Sequence, residues 1–151
     1  MKLRVLAVTA AAMAFLIAGV VPMYAQTCPA FTQGYWKNHQ GAWQDGTGLT
    51  LGTNFYTNAQ LETILRTPVH GDASMELAHQ LIAALLNIAN GTDATPIQTV
   101  LDTANSLIGS GIIPQGISPP STLGQQMEDA ATTLDEFNNG DITDACGGTI
   151  E

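Results

Sequence analysis

Three imidazoles, His39, His70 and His79, are the side chains of this sequence whose type suits an open metal tripod. Glu76 stands one turn before His79 on the same face of a helix, placed to serve as a ligand or a general base. His39, His79 and Glu76 together define one reading, a metal-dependent hydrolase with zinc as its ion. The spacing lacks His-Glu-x-x-His, and Glu76-Leu77-Ala78-His79 by itself is a pair that many structural helices carry. A hydrogen-bonded packing role for His79, at the edge of an apolar stripe, is the simpler account.

Calcium is the other ion to weigh, because the C-terminal end is rich in oxygen donors. Asp135 as the first position of an EF-hand loop puts Gly140 at the sixth, but Phe137 then falls at the third and Cys146 at the twelfth, where a bidentate carboxylate is required. Asp135, Asp141 and Asp144 leave a calcium site of another type open, while helix capping and solvent exposure explain them more cheaply. No Gly-x-Ser-x-Gly elbow occurs, and Gly46-Thr47-Gly48 lacks the lysine and helix of a phosphate-binding loop. No catalytic residue is assigned.

Recognition needs less. Cys28 to Trp43 holds both tryptophans, and Tyr35, Trp36 and Trp43 are the candidate aromatic platform, with Phe55 and Tyr56 further on and Gln33, Asn38, Gln40 and Asn54 supplying amides. The partners such a surface implies are an extracellular glycan or a surface protein. Against this stands packing, since tryptophan in a small domain with few large rings belongs in the core.

The elements that must position these groups begin after a targeting segment. Lys2 and Arg4 precede an apolar run from Val5 to Val21, and Pro22 to Ala25 supplies a cleavage region, so residues 1–25 read as a signal peptide and 26–151 as one secreted domain. The competing reading is a retained anchor, because about 17 apolar residues lie at the lower limit for spanning a bilayer. With cleavage no stable membrane insertion is expected, and the localisation is extracellular, with periplasmic transit or retention open. Residues 26–151 keep Lys37 and Arg66 against 13 acidic residues, a net charge of 2 − 13 = −11. That field disfavours nucleic acid and anionic lipid.

Cys28 and Cys146 stand near the two ends of this domain and are expected to form a disulfide, worth about 4–5 kcal/mol in the chain-entropy account for a loop near 100 residues. Between them the periodicity predicts a mainly α fold, a small single-domain bundle of about four helices behind an irregular N-terminal aromatic segment. Thr57 and Gln60 make a capping box and Pro68 closes the first helix after Arg66. Asp72 caps a central helix whose stripe runs through Met75, Ala78, Ile82, Leu86 and Ala89 to a stop at Gly91. Thr95 caps the third, with Pro96 at its first position and Gln98 three places after the cap. Ser121 opens the last, which ends at Asn138-Asn139-Gly140; residues 109–120 read as an irregular loop, and residues 44–56 as a loop with a short extended piece from Leu49 to Tyr56.

The succession Thr32-Gln33-Gly34-Tyr35-Trp36-Lys37-Asn38-His39, Ala42-Trp43, Leu61 to Pro68, Leu77 to Asn87 and Leu134 to Gly140, between terminal cysteines, resembles a group of uncharacterised bacterial secreted or surface proteins. The resemblance covers nearly the whole mature sequence. It implies an exported bacterial domain and no particular reaction, since no activity is established for the group. The expectation is a secreted recognition, attachment or structural module without catalysis; the metal-dependent hydrolase on His39, His79 and Glu76 is the alternative.

Overall fold

The computed structural model describes residues 30–43, 46 and 48–142. The expected signal peptide and the expected disulfide partners, Cys28 and Cys146, lie outside the described residues, and so does Asp144.

The N-terminal aromatic segment is more regular than its sequence suggests. Thr32 is extended and accepts a hydrogen bond from the Tyr35 N–H at 3.3 Å, which starts a short helix, α1, over Gln33–Asn38. A 3-10 turn over Gln40–Ala42 follows. Strands β1 (Gly48–Leu51) and β2 (Asn54–Thr57) then form an antiparallel hairpin with Leu51 opposite Asn54, so its turn is Gly52-Thr53. Gly52 has φ +63°, a conformation that favours glycine at the first central position of a two-residue hairpin loop.

Helix α2 (Asn58–Arg66) begins with the expected capping box, the Thr57 N–H donating to Gln60 Oε1 at 2.9 Å while the Gln60 N–H donates to Thr57 Oγ1. Asp72 caps α3 (Ala73–Ala89), and α5 (Thr122–Asn139) starts at Ser121 and ends at Gly140 in the left-handed conformation, as expected. The start of α4 (Gln98–Ile108) differs from expectation. Thr95–Ile97 forms a 3-10 turn held by Asp93, whose carboxylate accepts from the Thr95 N–H and hydroxyl, and no side chain caps α4 itself. An aspartate two residues upstream captured both Thr95 donors, leaving the threonine no role as a cap.

The described residues are mainly helical, with five α-helices and one two-stranded sheet rather than four helices alone. Helix α3 is the centre: most of its residues are buried, and it packs most extensively against α5, with α1, α2, α4 and β1 around it. An almost all-round apolar helix of this kind must be enclosed. Among the described residues no helix is long and apolar enough to cross a membrane.

Candidate functional site

Neither tryptophan presents a ring face to solvent. Trp36 is completely buried and Trp43 is 7 % exposed. Their polar edges are used inside the protein: Trp36 Nε1 donates to Asn87 Oδ1 at 3.1 Å, and Trp43 Nε1 donates to the Trp36 carbonyl at 3.1 Å. The platform expected from Tyr35, Trp36 and Trp43 is therefore corrected to a packing role for both indoles. The cause is apolar area, since a domain this small has few other rings to close its centre.

Tyr35 remains half-buried in a different arrangement. Residues 31, 35 and 39 follow one another at one-turn spacing, and their rings stack, Phe31 on Tyr35 with centroids 4.0 Å apart and Tyr35 on His39 at 4.1 Å, with Trp36 edge-on to the first two. A pile of parallel rings covers its own faces and offers edges to solvent. It stiffens α1 and is not a flat surface for a sugar.

Beneath the pile lies an amide network with no counterpart in the sequence reading. Asn87, wholly buried on α3, accepts from the Phe31 N–H (2.8 Å) and Trp36 Nε1, and donates to the Phe31 carbonyl (2.9 Å) and Asn138 Oδ1 (2.9 Å). Asn138, wholly buried on α5, donates to the Gln80 carbonyl and to Gln80 Oε1, both at 3.0 Å. Every donor and acceptor position of the Asn87 amide is thereby filled. Asn138 looks like part of a helix terminator in sequence; its helical phase turns it inward instead.

The histidines go separate ways. His79 is buried and its Nε2 donates to the Ile64 carbonyl at 2.7 Å, while His39, exposed, donates from Nδ1 to the Tyr35 carbonyl at 2.8 Å. Burial holds the His79 imidazole below its ordinary pKa against the opposing pull of the Ile64 carbonyl and Glu76. His70 is exposed on the α2–α3 connection with φ +47°. Among the described residues no three histidine, cysteine, aspartate or glutamate side chains converge as metal ligands, so His39, His79 and Glu76 are not brought together, and neither are Asp135 and Asp141 with a third ligand.

A cleft of about 560 Å³ with convergent polar groups lies between α3 and α5, roofed by the loop at Pro119 and reached by Gln33 at the start of α1. Its walls follow from helical spacing. Asp72, Glu76 and Gln80 recur every four residues along α3, and Glu128, Thr132 and Asp135 share a face of α5. Neither Lys37 nor Arg66 lines it; Arg66 pairs with Glu62 at 2.8 Å on the exposed face of α2.

Asp72 is structural within this wall. Its carboxylate accepts from the Ser74 N–H and hydroxyl and from the Gly116 and Ile117 N–H groups, at 2.7–3.0 Å, fastening the 109–120 loop to the start of α3. Partial burial alone would raise its pKa, but these hydrogen bonds outweigh it and hold the group below the usual carboxylate value. Ser74, the hydroxyl nearest His79 in sequence, is fully buried, donating to Asp72 and accepting from the Gln115 N–H at 2.9 Å. Glu76, Glu128 and Asp135 line the cleft, and among the described residues their carboxylates make no hydrogen bond or ion pair.

Gln80 supplies the remaining polar group. It is 3 % exposed and lines the cleft, and its Oε1 accepts from Asn138 Nδ2 at 3.0 Å. Sequence reasoning missed this wall, although Asp72, Glu76 and Gln80 at intervals of four were a legible signal. Comparison with protein-family models, curated proteins and solved structures finds no match, so the functional reading rests on the geometry of this cleft.

Proposed function

We propose that this chain is a non-catalytic recognition or attachment module acting outside the cytoplasm, and that its ligand sits in the cleft between α3 and α5. The observation that carries the reading is a cleft of about 560 Å³, within the ordinary range of small-ligand sites, whose polar side chains come from both helices. Export and the Cys28–Cys146 disulfide belong to the same proposal and rest on the sequence alone. Non-reducing peptide mapping of secreted material, with recovery of a Cys28–Cys146 cross-linked peptide and a mature N-terminus near Gln26, tests them.

The reactive groups are committed to structural hydrogen bonds, which favours binding over catalysis. Ser74 is tied to Asp72 and Gln115, and His79 to Ile64, each inside the core. The binding test is retention on a glycan and small-ligand array by the wild type and by Thr132→Trp. Thr132 is exposed on α5 and lines the cleft, so an indole there fills the space without disturbing the core. Retention by the wild type that is lost in Thr132→Trp, with an unchanged circular dichroism spectrum, is the expected result. Equal retention of both proteins on every ligand sinks the proposal.

A further inference from the structure

We infer that Asn90 is an N-glycosylation site, whose side-chain nitrogen takes an oligosaccharide during export, before the fold closes. The inference rests on the export reading and not on the cleft. Asn90-Gly91-Thr92 has the form Asn-x-Thr with no proline between, and no other asparagine of the sequence has serine or threonine two places on. The fold puts the acceptor where a bulky sugar has room. Asn90 is exposed at the C-terminal cap of α3, and Gly91, exposed after it with φ +100°, ends the helix. Asn90 does not line the cleft, and it stands about 15 Å of helix beyond Gln80, so a sugar there leaves the cleft open.

Thr92 supplies an independent reason. It is 4 % exposed and its N–H donates to the Asn87 carbonyl at 3.0 Å, yet its hydroxyl has no hydrogen-bond partner among the described residues. A hydroxyl withdrawn from water without a partner costs stability. Valine has the same branched shape without that cost, so packing asks for a methyl at this place and not for a hydroxyl. The hydroxyl two residues after the asparagine is the part of the acceptor pattern that an oligosaccharide transferase requires. Thr92 thus serves the chain before it folds and is buried once it has. Transfer must then precede folding. The Asn90 Nδ2 attacks C1 of the first sugar of a lipid-diphosphate-linked oligosaccharide. The N–C1 bond forms, the C1–O bond to the diphosphate breaks with its electron pair leaving on that oxygen, and Nδ2 gives up one proton.

The test is mass spectrometry of the exported protein recovered from the organism that makes it, on the intact chain and on the proteolytic peptide that contains Asn90. A sugar mass on that peptide is expected, absent in Asn90→Gln and in Thr92→Val and retained in Thr92→Ser. In the sugar-free Asn90→Gln background, adding Thr92→Val is expected to leave the thermal midpoint unchanged or raise it, because no hydrogen bond is lost. Exported protein with an unmodified Asn90, or a sugar retained in Thr92→Val, overturns the inference and leaves the recognition reading standing. A clear fall in the midpoint on adding Thr92→Val overturns it too, because the hydroxyl then serves the fold. Protein that is never exported overturns both this inference and the export reading.

Discussion

Replacing Asn87 with alanine removes the amide on which the N-terminal segment, α3 and α5 converge, and the size of the loss can be worked out group by group. Four hydrogen bonds end on this side chain. The Phe31 N–H and carbonyl are part-buried, where water replaces the lost partner. Trp36 Nε1 and Asn138 Oδ1 lie in the interior and are left unpaired. A stranded neutral group costs about 1–3 kcal/mol, so two give about 2–6 kcal/mol, and we expect a loss near 4 kcal/mol. That is a large part of the stability of an ordinary domain. Urea unfolding followed by tryptophan fluorescence is the direct assay, because Trp36 and Trp43 are the protein's two tryptophans and both sit at this junction. Combining Asn87→Ala with Trp36→Phe, which keeps a ring and deletes the indole N–H, completes a double-mutant cycle with an expected coupling of at least about 1 kcal/mol. A single-mutant loss below about 1 kcal/mol, or strict additivity in the cycle, would refute the account of a satisfied buried network.

Three further outcomes follow from groups held at unusual positions. His79 has its pKa lowered by burial, so its contribution to stability is complete above the unfolded value of 6.5 and is lost as pH falls through the folded value; between pH 7.5 and pH 5 the urea midpoint of the wild type should drop more than that of His79→Gln, and parallel curves would contradict the argument. Asp72→Ala removes the α3 cap and the anchor of the 109–120 loop together and should cost about 2 kcal/mol while opening residues 115–117 to limited proteolysis, with an unchanged cleavage pattern as the contrary result. Gly52→Ala places a Cβ against the Gly109 carbonyl oxygen at a residue with φ +63°, and should lower stability by about 1–3 kcal/mol in thermal unfolding; a neutral effect would mean that the hairpin turn is free to shift.

The helices α2, α3 and α5 were legible because their determinants are local. Thr57 with Gln60, Asp72, Ser121 and Gly140 act within a turn of their own position, and the stripe from Met75 to Ala89 has the helical period in plain view. The helix α1 escaped because a single helical turn and a half buries one residue, Trp36, and so has no period to read. At α4 no side chain caps the start, because Asp93 takes both Thr95 donors ahead of it, a local competition that residue type alone does not resolve. The candidate site was partly legible. The four-residue spacing of Asp72, Glu76 and Gln80 stood in the sequence, but the opposing wall of Glu128 and Asp135 belongs to a helix some fifty residues away, and only packing sets the two faces together.

By itself the sequence determined the helical character of the domain, its acidic charge and the starts of its longer helices, since each depends on residue types within a few positions of one another. Tertiary structure decided what those residues are for. Burial turned Trp36 and Trp43 from a surface into a core, and helical phase turned Asn87, Asn138 and Gln80 inward to meet one another. The folding of α5 against α3 left Glu76, Glu128 and Asp135 around a space with no cation among its lining residues. Such long-range pairings are fixed by the packing of faces, and a linear order of residues does not contain that information.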